Sequence, residues 1–232
     1  MTGMLKDVIT YTDPNSPTSE TIRCLRTNIL FLNMGKDSKV ISLTSPAPQE
    51  GKTFLAANLA VATAQSKKKT LIIDFDLRRM GLSRVFGLGG KEGLSNVLAR
   101  KNITLSNIPF CDVGIENFTV LPSGPSPPNP AELLEQEGVD TVLSIVRKEF
   151  DIIYVDVPPV LSVADPIIVC KKTDGVILVV MADSTPQKAA LRTYSLLKEA
   201  GINIMGTVLN KVDAGLSGLY RYKYRYRYYY SK

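Results

Sequence analysis

Short apolar runs alternate along the chain with longer segments in which apolar residues recur at helical spacing. Several of the short runs are apolar almost throughout, which is typical of strands buried on both faces of a sheet. The short runs predict strands at residues 39–44, 70–75, 118–122, 151–156, 175–181 and 206–210, and the longer segments predict helices at 53–65, 130–148 and 185–200. Because strands and helices alternate, we expect an α/β fold with a mostly parallel, doubly wound sheet and helices on both faces.

The last of these helices carries clear boundary signals. Ser184 or Thr185 is its expected N-cap, and Pro186 would lie inside its first turn. Gly201 comes just past its end, where a left-handed residue commonly terminates a helix.

A further helix is predicted before the first strand, over residues 16–34, and Ser16-Pro17 is its start signal. Glu20, Arg23 and Arg26 step by three residues, which places them on one helix face beside the apolar stripe. Because this face carries both signs of charge, it is a candidate contact between subunits. An exposed ion pair within the helix is the alternative interpretation.

The composition bounds the size and the chemistry of the fold. With 232 residues, 44% of them hydrophobic, the chain can form one large α/β domain or at most two small ones. Its three cysteines are widely spaced, so we expect buried thiols rather than disulfides or a metal site. The absence of histidine excludes a Ser-His-Asp triad and leaves catalysis to carboxylates, lysine, arginine and hydroxyls.

The longest strongly apolar run covers residues 176–182, far short of the roughly 20 residues that span a bilayer. The polar N-terminal segment, residues 1–15, does not have the pattern of a signal peptide. We therefore expect a cytoplasmic protein, in which a leader at 1–15 precedes a domain at 16–214. Met1 and this compact leader favour a complete chain.

The positive charge is concentrated at the C-terminus. The last 13 residues contain five cations and no anion, and these account for all but one of the six net positive charges. They also contain seven of the ten tyrosines: Tyr220, Tyr222, Tyr224, Tyr226, Tyr228, Tyr229 and Tyr230. Since a strand with one wholly basic face has little to bury, we expect residues 215–232 to be a mobile tail. Such a tail could alternatively bind an acidic surface, or it could bind nucleic acid by stacking and phosphate contacts.

A phosphate-binding loop is predicted where the first strand meets the next helix. Backbone amides at the helix start would bind phosphate oxygens, Lys52 would bridge the β- and γ-phosphates, and the Thr53 hydroxyl would reach Mg²⁺. The candidate nucleotide-binding residues are Pro46, Ala47, Pro48, Gln49, Glu50, Gly51, Lys52, Thr53 and Phe54. Gln49 occupies a position where related loops often have glycine. If Gln49 has a positive φ, the strain should weaken nucleotide binding without abolishing it.

Carboxylates follow two of the predicted strands at the edge where this loop lies. Asp74 and Asp76 end the second strand, and Asp156 ends the fourth. A carboxylate just past a buried strand is costly unless it has a partner there, and hydrated Mg²⁺ on a nucleotide is such a partner. Any of the three could also orient or deprotonate an incoming hydroxyl. Asp74 is the first candidate, and the residues alone leave this assignment open.

In combination, these motifs resemble the bacterial tyrosine kinases that accompany capsule and exopolysaccharide synthesis. The match includes the loop at 45–53, the D-x-D-x-R segment ending at Arg78, the D-x-P-P segment from Asp156, and a Pro-rich segment at 123–134. The E-x-x-R-x-x-R spacing of Glu20, Arg23 and Arg26 and the tyrosine-rich tail also match.

The resemblance implies ATP and Mg²⁺ as cofactors and autophosphorylation of the tail between subunits of a ring. It implies that Asn210 contacts adenine and that Arg78 contacts the acceptor or a neighbouring subunit. It further implies a separate transmembrane activator that recruits the protein to the membrane, and a cognate tyrosine phosphatase, with no specific nucleic acid as a partner.

The alternative within the same superfamily is a partition or septum-placement ATPase. Those loops resemble a pattern with an early signature lysine, whose position is occupied here by Ala47. They have no need of a tyrosine cluster.

Overall fold

A computed structural model describes residues 5–32 and 39–212. Its strands are β1 (Val40–Thr44), β2 (Thr70–Asp74), β3 (Phe118–Leu121), β4 (Ile152–Asp156), β5 (Gly175–Met181) and β6 (Ile204–Asn210). All six are parallel, in the order β3-β2-β4-β1-β5-β6. The predicted α/β class and parallel sheet are therefore confirmed, and five of the six predicted strands agree with the structure to within one residue at either end.

Helices cover both faces of this sheet. They are α1 (Ile9–Thr12), α2 (Pro17–Leu32), α3 (Lys52–Ala64), α4 (Gly81–Val85), α5 (Leu94–Leu98), α6 (Pro130–Glu135), α7 (Gly138–Glu149), α8 (Asp165–Cys170) and α9 (Gln187–Glu199). A 3₁₀ helix, Leu105–Asn107, lies between α5 and β3. None of the helices in the described ranges is both long enough and apolar enough to cross a bilayer.

Alternate residues of each central strand enter separate hydrophobic cores on the two faces. In β2, Leu71 and Ile73 pack with residues of α5, α6 and α7, whereas Ile72 packs with α2, α3 and α4. Both faces of the strand are buried, which explains why its sequence is continuously apolar rather than alternating.

The segment predicted as one helix at 130–148 is two helices. Gln136 after α6 is extended, with φ −68° and ψ 159°, and α7 begins at Gly138. A β-carbon at Gly138 would lie 3.2 Å from Leu98 and 3.3 Å from Ile103, so the break brings the start of α7 close to α5. The apolar spacing continues across the break, and this is why the sequence pattern did not show it.

The predicted N-cap of α9 is also wrong, because Pro186 occupies the cap position with extended backbone and no side-chain cap bond. The Thr185 hydroxyl is engaged elsewhere, as described below. Gly201 lies just past the helix end, as predicted, and has φ 74°. Of the cysteines, only Cys170 is fully buried, and none of the three forms a disulfide.

Candidate active site

Three neighbouring strands end at the same edge of the sheet and bring the predicted site residues together. Asp156 at the end of β4 pairs in register with Asp74 of β2 on one side and with Leu43 of β1 on the other. The loop at 45–51 leaves β1 and enters α3 at Lys52. The carboxylates predicted from two separate strands therefore lie at the mouth of the phosphate loop.

The Lys52 ammonium lies between two carboxylates. Its Nζ is 3.2 Å from Asp76 Oδ2 and 3.2 Å from Asp156 Oδ1. The Thr53 hydroxyl donates to Asp156 Oδ2 at 2.6 Å. Lys52, Thr53 and the two carboxylates thus form one hydrogen-bonded cluster, and all three charged side chains in it are nearly or completely buried.

The cluster carries more negative than positive groups, and its pKa shifts reflect this. Burial, with repulsion from Asp156, raises the pKa of Asp74 well above its usual range. Burial also raises the pKa of Asp156, against the attraction of Lys52. Burial acts to lower the pKa of Lys52, but the negative charges of Asp156 and Asp76 raise it above its ordinary value. Such shifts are typical of sites prepared to bind a cation or to accept a proton.

Asp74 is held by backbone amides. It is fully buried, and its two oxygens accept hydrogen bonds from the backbone amides of Asp76 and Leu82, each at 3.1 Å. These bonds fix the turn that carries Asp76 toward Lys52. The role of Asp74 as the base that contacts the acceptor hydroxyl stays a prediction.

The donors present suit a magnesium ion that is shared with phosphates. Mg²⁺ commonly takes one or two protein oxygens and keeps several waters. The hydrogen-bonded Thr53 hydroxyl and Asp156 carboxylate provide such a pair, and Asp76 is joined to Asp156 through Lys52. In the described part of the chain, no group of three or more acidic, cysteine or histidine side chains is arranged to hold a metal by itself.

The phosphate loop contains two residues with left-handed backbone. Gly51 has φ 90° and Gln49 has φ 67°. The positive φ on which the expected strain at Gln49 depends is therefore present, and its effect on binding stays a prediction. Glu50 between them is buried, and its carboxylate accepts from the Ala47 amide at 3.2 Å and from the Thr185 hydroxyl at 2.6 Å.

The end of β6 also contacts the loop. Asn210 Nδ2 donates to the Glu50 carbonyl at 2.9 Å, and Lys211 Nζ donates to the Gln49 carbonyl at 3.0 Å. A β-carbon at Gly51 would lie 2.2 Å from Asn210 Nδ2, so glycine is needed there for this approach as well as for its φ. Asn210 and Phe54 line a groove of about 340 Å³ between α2, α3 and β6. The contact of Asn210 with adenine stays a prediction.

Arg78 has a partner that the sequence did not suggest. Its guanidinium donates to both oxygens of Asp165 at 2.8 and 3.1 Å, and Asp165 is fully buried at the start of α8. This hydrogen bonding raises the pKa of Arg78. Pairing of Asp165 with Arg78 could not be found from sequence spacing because 87 positions separate them. Contact of Arg78 with an acceptor or a second subunit stays a prediction.

The three charged residues of α2 lie on one helix face, but their side chains have different partners. Glu20 and Arg23 form an ion pair within the helix at 2.9 Å, which was the alternative interpretation. Arg26 instead turns toward α3, where it donates to the Ala62 carbonyl at 2.9 Å. The spacing of three therefore keeps the residues on one face, with Arg26 on the side next to α3, and a subunit contact through this helix stays a prediction. The seven tail tyrosines lie outside the described residues, as does the whole segment 215–232.

Comparisons with known proteins agree with this geometry. A family model described as an AAA domain matches residues 38–199. Tyrosine-protein kinase YwqD of Bacillus subtilis is 36% identical over 207 residues, which cover 89% of this chain and 86% of YwqD. Tyrosine-protein kinase Etk of Escherichia coli is 35% identical over 210 residues, which cover 90% of this chain and 29% of Etk. The crystal structure of the chimerical protein CapA2B2 has a TM-score of 0.82 at 36% identity and covers 89% of this chain and 90% of that one.

The septum-placement ATPases are structurally more distant. The septum site-determining protein MinD of Pyrococcus horikoshii, solved with Mg-ADP, has a TM-score of 0.61 at 26% identity and covers 74% of this chain and 70% of that one. The kinases match more closely and over more of the chain, so the alternative of a septum-placement ATPase is not favoured. The chain belongs to the family of bacterial tyrosine kinases that accompany capsule and exopolysaccharide synthesis.

Proposed function

We propose that this chain is an ATP-dependent protein-tyrosine kinase that phosphorylates the tyrosines of its own C-terminal segment between subunits and so regulates polysaccharide synthesis and export. The observation that carries the proposal is the Lys52 ammonium held between Asp76 and Asp156 at the mouth of the phosphate loop. The names of the similar proteins YwqD and Etk support tyrosine as the acceptor.

The residues divide the work of binding. Lys52 and the loop amides would hold the β- and γ-phosphates, and the fixed donors cost no reorganisation during transfer. The Thr53 hydroxyl and one or more of Asp74, Asp76 and Asp156 would hold Mg²⁺ directly or through water. When bound, Mg²⁺ neutralises charge on the phosphate oxygens.

Transfer moves one phosphoryl group and one proton. The phenolic oxygen of the acceptor bonds to the γ-phosphorus while the bond from that phosphorus to the β,γ-bridging oxygen breaks, and ADP leaves. The phenolic proton passes to a site carboxylate, directly or through water. Burial, which raises the pKa of Asp74 and of Asp156, makes both carboxylates better proton acceptors than exposed ones.

The partners are part of the proposal. We propose a ring-like homo-oligomer, a separate transmembrane activator that recruits the kinase to the inner face of the membrane, and a cognate tyrosine phosphatase. The matched part is 29% of the length of Etk, which continues well beyond it, and 86% of the length of YwqD.

Phosphotyrosine mapping tests the proposal. The wild type and Lys52→Met would be purified from a host without tyrosine kinases, incubated with ATP and Mg²⁺, and mapped by mass spectrometry. We expect phosphotyrosine among residues 220–230 in the wild type and none in the variant, with unchanged circular dichroism. Equal phosphotyrosine in both proteins would refute the proposal, and ATP hydrolysis without phosphotyrosine would favour the ATPase alternative.

A further inference from the structure

The segment that follows β6 contacts the phosphate loop at its most strained residue. The Lys211 ammonium donates to the backbone carbonyl of Gln49 at 3.0 Å. Both residues have left-handed backbone, with φ 54° at Lys211 and φ 67° at Gln49. A hydrogen bond thus joins two non-glycine residues that each have an unfavourable conformation.

Neither conformation is expected from the local sequence. A non-glycine residue in the left-handed region is disfavoured by contact of its β-carbon with the following carbonyl oxygen, and such strain persists only where the surroundings fix it. The phosphate loop needs the left-handed turn because its backbone amides must converge on one anion. Glycine adopts this turn without strain, and here glutamine takes its place.

Few other contacts could hold Gln49 in this conformation. Asn210 donates to the Glu50 carbonyl, and Thr185 donates to the Glu50 carboxylate, so both act on the next residue. Among the described residues, Lys211 is the only side chain that hydrogen-bonds Gln49. Its charge strengthens the hydrogen bond to the carbonyl compared with a neutral donor.

We propose that Lys211 is a positioning residue that holds Gln49 in the left-handed conformation and thereby replaces the glycine that this loop lacks. The proposal rests on the proposed function, because the ligand that needs the preformed loop is a nucleoside triphosphate. Without the ammonium, Gln49 relaxes in the nucleotide-free protein. Binding must then restore the strained turn, and the affinity falls by that amount.

A double-mutant cycle separates this role from a direct contact with the nucleotide. The dissociation constant of a fluorescent ATP analogue would be measured for the wild type, Lys211→Met, Gln49→Gly and the double variant. Because the hydrogen bond is exposed, we expect Lys211→Met to weaken binding by about three- to fivefold in the wild-type background. We expect less than about a twofold change in the Gln49→Gly background, since glycine needs no restraint.

Control variants test whether the ammonium of Lys211 itself causes the change in affinity. Lys211→Arg keeps a cationic donor and should retain most of the affinity, whereas Lys101→Met, which removes an exposed lysine after α5, should change nothing. Equal losses from Lys211→Met in both backgrounds would overturn the proposal, because the lysine would then act on the nucleotide itself. No loss in the wild-type background would overturn it as well.

A second measurement does not depend on nucleotide. Amide hydrogen exchange of the loop peptide at 46–53 should be faster in Lys211→Met than in the wild type, and this difference should be small in the Gln49→Gly background. Failure of the wild type to bind ATP would refute the proposed function, while the exchange data would still decide whether Lys211 holds the loop. Unchanged exchange in Lys211→Met would refute the positioning role.

Discussion

Replacing Asp156 by asparagine should stabilise the nucleotide-free protein while abolishing phosphotransfer. Three buried carboxylates, Asp74, Asp76 and Asp156, share one buried ammonium, that of Lys52. Asparagine keeps the shape: its carbonyl can accept from Lys52, and its amide can donate to the Thr53 hydroxyl, which reverses the direction of that hydrogen bond. The change therefore removes one excess buried charge and leaves Lys52 paired with Asp76.

The size of the effect follows from the geometry. The Asp76 and Asp156 oxygens that contact Lys52 are at most about 6.4 Å apart, where two unit charges repel by roughly 2.6 kcal/mol at an effective dielectric constant of 20. Burial adds a penalty of several kcal/mol per ion, which the attraction to Lys52 only partly offsets. We therefore expect a net stabilisation of about 1–2 kcal/mol, or about 2–8 °C in Tm for a domain of this size.

The pH dependence has a defined sign. Burial raises the pKa of Asp156 in the folded state, so its ionisation penalises folding only at pH values above the ordinary pKa of the unfolded chain, about 3.9. The stability gained from Asp156→Asn should therefore be small near pH 4 and largest above the folded-state pKa.

A matched variant, Asp174→Asn, should change the stability in the opposite direction. Burial acts to raise the pKa of Asp174, but hydrogen bonds from the Arg147 guanidinium and from the amides of Lys39 and Val40 lower it below its ordinary value. Its ionised form stabilises the fold above the unfolded pKa, and this contribution is lost as pH falls through the lower folded pKa. Asp174→Asn should thus lower Tm at neutral pH, and the difference should shrink on acidification.

Thermal unfolding by circular dichroism from about pH 2 to pH 8, without nucleotide or Mg²⁺, tests both variants, because the contribution of Asp174 is lost only below the unfolded pKa of about 3.9. A Tm of Asp156→Asn that is below that of the wild type at pH 8 would refute the idea that excess charge strains the cluster. Equal pH profiles for the Asp156 and Asp174 variants would refute the assignment of opposite shifts.

Two further predictions concern assembly and packing. Glu20→Ala combined with Arg23→Ala should shift the unphosphorylated protein toward monomer in light scattering; no change in mass across a concentration series, or a monomeric wild type, would count against a contact through α2. Gly93→Ala should lower Tm by more than about 4 °C, measured by calorimetry, since backbone overlap of this kind costs of order 2 kcal/mol. The β-carbon of the new alanine would lie 2.2 Å from the Gly124 amide nitrogen and 2.2 Å from the Pro122 carbonyl oxygen. An unchanged Tm would show that the backbone at residues 122–124 can move away.

The sheet could be predicted from sequence because its strands are buried on both faces. Residues such as Leu71, Ile72 and Ile73 are all apolar since one core or the other covers each of them. The short helices α1, α4, α5 and α8 were missed because four to six residues are too few to show helical periodicity. The break at Gln136 was missed because it depends on the packing of α7 against α5, which is a tertiary contact.

The chemical groups of the site were predictable, but their interactions were not. Lys52, Thr53 and Asp156 were identified because a phosphate loop and a strand-end carboxylate have local signatures. The contacts of Thr185 and Lys211 with the loop join residues 135 and 162 positions apart, and no local pattern marks them. The loop pattern marked Gln49 as the position where related loops often have glycine, but the sequence left its conformation open, and the positive φ is known from the structure.

Electrostatic repulsion should favour release of the phosphorylated segment from the site. Three carboxylates and one ammonium leave an excess of negative charge where an acceptor must approach, and the segment proposed as acceptor carries five cations and no anion. Each phosphate adds about 1.5 to 2 negative charges to that segment, so about three of them would cancel its five positive ones. Attraction between tail and site should therefore weaken with each transfer and then reverse, so that phosphorylation limits itself. The ionic strength dependence of the reaction tests this, because salt should slow the first transfers and favour the last ones.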